Sequence, residues 1–446
     1  MNIIAPPFEM PSGLGAAGVL GFGATVVLAT ASRLRITTCN VFAAAVPVLA
    51  ALPVVTQPWS AETVPVLLVL GACLICGCLR GDDLALPHHR AEAVALQLLG
   101  SAGACVLATA TDWLSLLLGF EAMSLTVAVL AGNGRHGGAL EGSFRFFVVS
   151  AVSAATLVFG IAMSYAATGS FALSAPPVGG EGMQEMATAG AVLAAVGLGF
   201  ELAIVPSHLA TLAIVRSAPV GGVGFATLVS KVGAAFAMAK LAAAHPALQP
   251  ILVWLGVATI VWAALGGLGQ RAARGLIAYS AIGHAGFLAL AAASGGTAAV
   301  PYYAIVYLCS AALVLAGWNG DEHAGADAGR EVPLTEVARA PLHGLRRAAW
   351  VVGVVSLAGI PPAPGFLAKI TVLRDTWAVA GTTATAIAAL ASVVAALFYL
   401  RPVPELLAGP RTAASTVPLA ARVAIALAAA AGVVCALAPA FAIGAR

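Results

Sequence analysis

Charge is scarce in this sequence. Only 9% of the 446 residues are charged, while 61% are hydrophobic. Soluble domains carry roughly 25% charged residues, so no soluble fold of this length could clothe itself in polar side chains. Long polar segments are lacking too. The longest, Asn319 to Arg347, leaves no room for a soluble domain. The net charge of +3 comes mostly from arginines between apolar runs and so says nothing of nucleic acid, and no nucleic-acid partner is expected. No Gly-rich nucleotide loop stands in a strand–helix context. No Lys or Arg precedes the apolar run 11–31, and no small-residue cleavage site follows it before Arg33, so it reads as a retained first span rather than a signal peptide. Of seven cysteines, Cys73, Cys76 and Cys78 form a CxxCxC cluster. A metal or iron–sulfur site would need a fourth ligand and a polar pocket. Within an apolar run these thiols read as small buried side chains, and neither a metal nor a cofactor is expected in the chain.

What is present is a succession of apolar runs, each of about 20 residues and able to cross a hydrocarbon layer of roughly 30 Å. They fall at 12–31, 38–56, 62–79, 92–110, 112–131, 144–167, 188–210, 219–243, 248–268, 273–293, 297–317, 347–371, 373–400 and 417–442. The sequence thus predicts an all-α integral membrane protein of about fourteen transmembrane helices. Between 92 and 131 only Thr111 and Asp112 interrupt the apolar run, and the turn is placed there. Nearly all arginines fall in or beside the odd-numbered loops; even loops and termini hold only Arg374 and Arg446, with Lys240 near a span end, where it can snorkel. By the positive-inside rule both termini lie outside, the periplasmic side of a bacterial inner membrane. Between the eleventh and twelfth spans, residues 331–345 mix apolar and charged positions at helical spacing and read as an amphipathic helix on the membrane surface, ended or kinked by Pro341.

Two spans contain breakers. Pro206 lies in ELAIVPSHLA, and Pro361, Pro362 and Pro364 lie in LAGIPPAPGFLAK. Proline frees backbone groups that hydrocarbon cannot satisfy, so a broken helix at membrane depth faces protein or a wet cavity. Breaks in corresponding halves are a sign of inverted repeats. The chain then divides into an N-terminal three-helix segment, 1–91, two five-helix repeats, 92–243 and 244–400, and a final helix segment, 401–446. Six ionisable residues sit deep in apolar runs: Glu121, Glu201, Lys231 and Lys369, with His208 and His284. A charge at mid-bilayer costs at least about 2.5–3.5 kcal/mol on insertion scales. Burial makes each charged form costly, so such groups exchange protons at little net cost. Either they carry protons along a row, or they form static pairs that fix helix packing.

These motifs resemble the antiporter-like membrane subunits of respiratory complex I, in the subunit N branch of NADH-quinone oxidoreductase. The segments that carry the resemblance are DWLSLLLGFEAMSL at 112–125, VGLGFELAIVPSHL at 196–209, SAPVGGVGFATLVSKVGAAF at 217–236, RGLIAYSAIGHAGFLAL at 274–290 and SLAGIPPAPGFLAKITVL at 356–373. The N branch is indicated by ATLVSK in the eighth span, where other branches show an HG…VKAG pattern, and by the end of the chain at the fourteenth span without a long lateral helix. The resemblance implies two inverted five-helix repeats with broken helices 7 and 12, and proton transfer through Glu121, Glu201, Lys231 and Lys369, with His208 and His284 as relay groups. It also implies neighbouring membrane-arm subunits and, through them, a peripheral redox arm holding flavin and iron–sulfur clusters and reducing quinone. None of those cofactors is expected in this chain.

One departure bears on mechanism. The family's seventh helix carries lysine where this chain has Glu201, so the usual Glu–Lys pair becomes Glu121 with Glu201. Two carboxylates close together resist ionising together. After His208, ATLAIVRSAP replaces a stretch that normally holds an aromatic and an acid, as in a divergent paralogue. Three functions stay open: a proton-conducting subunit of a redox complex, a subunit of a cation/proton antiporter, and a non-conducting structural member of the membrane arm.

Overall fold

The computed structural model describes residues 12–30, 36–57, 60, 62–79, 89–134, 138–294, 299–318, 333–339, 343–409 and 417–437. Its helices are α1 (Ser12–Thr30), α2 (Ile36–Val55), α3 (Thr63–Leu79), α4 (Arg90–Thr109), α5 (Trp113–Gly132), α6 (Ala139–Thr168), α7 (Glu181–Leu202), α8 (Leu209–Ser217), α9 (Val220–Gly224) and α10 (Ser230–Ala244). They continue as α11 (Leu248–Leu268), α12 (Ala273–Ala293), α13 (Ala299–Gly317), α14 (Leu334–Arg339), α15 (Gly344–Ala358), α16 (Pro364–Leu400), α17 (Pro402–Ala408) and α18 (Leu419–Leu437). Among the described residues, ten helical segments are long and apolar enough to cross a membrane, and α1 to α3 contribute three shorter apolar helices. With lipid outside as apolar as the core, water supplies no force that presses such helices together. Packing and small residues do it instead. Gly103 on α4 faces Gly119 on α5, Gly160 on α6 faces Gly190 on α7, and Gly256 on α11 faces Gly286 on α12. At each, an added Cβ would lie about 3 Å or less from atoms of the facing helix, the opposing glycine carbonyl among them.

The turn between α4 and α5 is where the sequence placed it. Asp112 caps α5, its carboxylate accepting from the N–H groups of Leu114 at 3.0 Å and Ser115 at 2.8 Å. The seventh apolar run is broken, as Pro206 indicated. Helix α7 ends at Leu202, Ala203 takes a left-handed conformation (φ 66°), and α8 starts at Leu209. The N–H of Val205, inside the break, is taken up by Thr259 Oγ1 of α11 at 3.0 Å, so protein replaces the missing helical partner.

The region after α13 differs from the sequence expectation. Of the amphipathic helix expected over 331–345, residues 331, 332 and 340–342, Pro341 included, lie outside the described residues. Only Leu334–Arg339 forms a helix there, and α15 begins at Gly344. The boundary expected between spans at 371–373 is absent, because α16 runs straight through Val372. The chain reverses at Gly381 instead (φ 73°, ψ −169°). A straight helix would hold Lys369 and Tyr399 about 45 Å apart, yet Lys369 Nζ lies 5.9 Å from the Tyr399 ring. Only glycine adopts that φ without strain.

Candidate functional site

Each broken span delivers one of the expected residues to a buried polar cluster. In the first, Glu201 is the penultimate residue of α7, next to the break, and Lys231 is the second residue of α10. Both are 2% exposed. Ser230 Oγ donates to Glu201 Oε2 at 2.6 Å. Lys231 Nζ donates to the main-chain oxygen of Glu201 at 3.2 Å, a carbonyl at the C-terminal end of α7. Helix C-termini carry partial negative charge and favour a cation there. Glu201 Oε1 has no hydrogen-bond partner among the described residues. Glu121 on α5 is half-buried and close enough for its charge to act on Glu201. The neighbouring rings of Phe120 and Phe200 pack at 6.3 Å, and this brings α5 and α7 together at that level. The structure therefore groups Glu121, Glu201 and Lys231, and adds Ser230, which the sequence reading missed.

The second cluster forms where α15 gives way to α16. Gly359 closes α15 in a left-handed cap (φ 77°), its N–H returning to the carbonyls of Ser356 and Val355. The carbonyls of Leu357 and Ala358 are taken by Lys369 Nζ, at 2.9 and 3.0 Å. The ammonium also lies 5.5 Å from the Phe287 ring and 5.9 Å from the Tyr399 ring, an arrangement that partly offsets its desolvation. His284 Nδ1 meets the Tyr303 hydroxyl at 2.7 Å. His284 Nε2 has no hydrogen-bond partner among the described residues, with Lys369 close enough to act on the ring. Tyr399 donates to Ser280 Oγ at 2.7 Å. Thus His284 and Lys369 come together as one unit. They are held by Tyr303, Tyr307 and Tyr399, none of which the sequence reading selected. A signal was available: Tyr303 and Tyr307 stand four apart in an apolar run, on one helix face.

His208 lies on the far side of the α7–α8 break. Its Nδ1 contacts the Pro206 carbonyl at 3.1 Å, and its ring meets Trp262 edge-on at 5.1 Å. No described contact joins it to Glu201. The prolines expected to break the helices lie within the two breaks, 203–208 and 359–363, and Pro364 opens α16. Three small cavities lie in this region: one of about 20 Å³ against Thr227, Ser280, Tyr307 and Tyr399, and two of about 10 Å³ that His284 lines, one with Tyr303 and Tyr307 and one with Lys369 and Tyr399. A water needs about 10–15 Å³ by this measure, so the first is roomy enough and the others are at the threshold. The arrangement suits transfer of protons between fixed groups. The three thiols at 73, 76 and 78 sit on α3, and among the described residues no group of three His, Cys, Asp or Glu side chains could hold a metal ion.

Comparison with known proteins gives a consistent picture. Residues 110–396 match the family described as NADH:quinone oxidoreductase/Mrp antiporter, TM. The chain is 34% identical over 341 residues to NADH-quinone oxidoreductase subunit 14 of Thermus thermophilus, a match spanning 75% of this chain and 73% of that protein. It is 34% identical over 329 residues to subunit N of Cereibacter sphaeroides, spanning 70% and 68%. Among solved structures, a chain of respiratory complex I from Thermus thermophilus with bound aureothin superposes with a TM-score of 0.81 at 26% identity, over 96% of this chain and 98% of that one.

Proposed function

Because the chain belongs to the NADH:quinone oxidoreductase/Mrp antiporter membrane family, we propose that it is the proton-translocating, subunit N-type member of a redox-driven NADH:quinone oxidoreductase. In this reading it sits among other membrane-arm subunits in a bacterial inner membrane. Flavin, iron–sulfur clusters and quinone belong to its partners, and it contributes to the enzyme without a redox centre of its own. It crosses the bilayer fourteen times, as α1 to α6, α7 with α8, α9 with α10, α11, α12, α13, α15 with α16 up to Gly381, the rest of α16, and α18. Both termini are periplasmic, as the arginine distribution indicates.

Two inverted repeats, 92–243 and 244–400, account for the doubled arrangement. The fourth and fifth spans meet at Gly103 and Gly119, and the corresponding ninth and tenth at Gly256 and Gly286. The sixth and seventh meet at Gly160 and Gly190; between the eleventh and twelfth the glycines do not face each other, Gly317 packing on Arg346 and Trp350 and Gly353 on Ser310 and Val314. Glu121, Glu201 and Lys231 then correspond by span to His284, Lys369 and Tyr399. The observation that carries the function is this pair of buried clusters, each built on a broken helix whose terminal carbonyls hold a lysine. A carbonyl cannot neutralise an ammonium as a carboxylate would. Lys369 is held by carbonyls alone, and Lys231 sits on the Glu201 carbonyl within reach of that residue's carboxylate, so each is able to give up its proton when a neighbour moves.

The test is Lys231→Ala in the assembled complex, in vesicles. Quinone reduction should persist while the number of protons moved per electron falls. An unchanged ratio would remove the reading. The non-conducting alternative draws on Glu201 in place of lysine, and Glu201→Gln separates the two. The amide keeps the shape and can still accept from Ser230, but it cannot ionise. A conducting subunit should lose the same increment of protons per electron as Lys231→Ala, whereas a structural one should lose nothing.

A further inference from the structure

The helix that carries Lys231 is irregular just before the lysine. Between Phe225 and Val229 it widens into a π-turn, and the N–H of Ser230 bonds to the carbonyl of Phe225, five residues back. Single π-turns are rare and collect at functional sites. This one ends two residues before Lys231. If it closed to an ordinary α-turn, the residues beyond it would shift by about one helical step, roughly 100°, and Lys231 would point away from the end of α7. The π-turn therefore decides where the lysine is aimed.

A residue from the other half of the chain touches this turn. Tyr307, on α13, donates its hydroxyl to the main-chain oxygen of Thr227, in the middle of the π-turn, at 2.9 Å. Both residues are 2% exposed, so the bond has no competition from bulk water. The Tyr307 ring lies 5.0 Å from that of His284. It also walls two of the small cavities, one shared with Thr227, Ser280 and Tyr399, the other with His284, Ser310 and Ser356. One side chain thus reaches the turn that aims Lys231 and the histidine beside Lys369.

We propose that Tyr307 is a positioning residue that couples the two clusters: its hydroxyl holds the π-turn open and so aims Lys231 at the end of α7, while its ring packs beside His284 and walls the small cavity that His284 lines. The coupling runs both ways. Closing the π-turn moves the Thr227 carbonyl and releases the Tyr307 hydroxyl beside His284, and a movement of the His284 cluster that draws Tyr307 away removes the outside partner of the turn. The inference rests on the proton-relay reading for its functional consequence, but the structural link stands apart from it.

The experiment compares wild type, Lys231→Ala and Tyr307→Phe in the assembled complex. It measures protons moved per electron across a pH series, and amide exchange over 225–231. Tyr307→Phe keeps the ring and deletes only the donor. It should lower the proton ratio as Lys231→Ala does, move the pH profile of translocation, and raise exchange over 225–231 roughly two- to tenfold, the loss of one neutral hydrogen bond. A merely structural role would reduce the amount of complex without moving the profile. If Lys231→Ala lowers the ratio while Tyr307→Phe leaves ratio, profile and exchange at wild type, the coupling is overturned and the relay stands. If Lys231→Ala changes nothing, the relay fails, and the exchange data alone decide whether Tyr307 holds the turn. Should Tyr307→Phe not assemble, 3-fluorotyrosine at 307, a stronger hydrogen-bond donor, should slow exchange over 225–231; unchanged exchange would overturn the link.

Discussion

Lys369→Gln and Lys369→Arg should both abolish proton flux through this subunit, by at least about 10²-fold, the usual contribution of a proton-transferring side chain. Both should leave the complex assembled. Each variant removes a different property. Glutamine loses the charge but retains an amide that can donate to the carbonyls of Leu357 and Ala358, which otherwise would stand buried at a cost of about 1–3 kcal/mol each. Removing the ammonium also removes its desolvation cost, several kcal/mol for a buried ion. The two effects oppose each other, so the net change in stability is small. Arginine keeps the charge and the donors, but it does not deprotonate in proteins. If Lys369 were only a clamp for the broken helix, Lys369→Arg would pump. If Lys369 carries the proton, Lys369→Arg assembles and does not pump. Translocation by purified complex in vesicles, set against quinone reduction in the same preparation, reads the difference. Normal pumping in Lys369→Arg would exclude Lys369 as a carrier.

Gly365→Ala should prevent accumulation of the complex. Gly365 is the second residue of α16, and its N–H reaches Ser356 Oγ at 3.3 Å. A Cβ added there would come 1.8 Å from the main-chain oxygen of Ser356 and 2.7 Å from its carbonyl carbon. Neither atom is the end of a flexible side chain, so relief requires α15 and α16 to separate across the break. Overpacking commonly costs about 1–3 kcal/mol, and more where backbone meets backbone. A loss of this size is a large share of the roughly 5–15 kcal/mol that keeps a domain folded. The movement would also pull Lys369 off the carbonyls of Leu357 and Ala358. Gly182→Ala, where nothing lies within 4 Å of the added Cβ, is the control and should accumulate normally. Wild-type amounts of the Gly365→Ala complex in native gels of membrane extracts would contradict the close passage of α15 and α16.

By itself the sequence determined the class of the molecule, the positions of most helices and the identities of five buried ionisable residues, Glu201, Lys231, Lys369, His208 and His284; Glu121 is only half-buried, and Arg90, Arg274 and Arg347, read as loop or span-edge residues, are buried too. The reason is energetic: only membrane helices tolerate so many long apolar runs, and charges such as Lys231 and Lys369 are too costly in hydrocarbon to pass unnoticed. The prolines marked both breaks because a missing N–H is a property of the residue type. The tertiary structure decided what those residues touch. Both lysines rest on helix-end carbonyls rather than on carboxylates, Ser230 takes the carboxylate of Glu201, and a tyrosine cage surrounds His284. The sequence could not reveal this, because helices that face lipid on one side and protein on the other are apolar all round, so no periodicity marks the inward face. The reversal at Gly381 was hidden for the same reason. A turn needs only one left-handed glycine, and AVAGTTAT carries no charge to announce it. The π-turn before Lys231 receives a hydroxyl from a helix eighty residues away, and a contact across that distance is fixed only when the chain is folded.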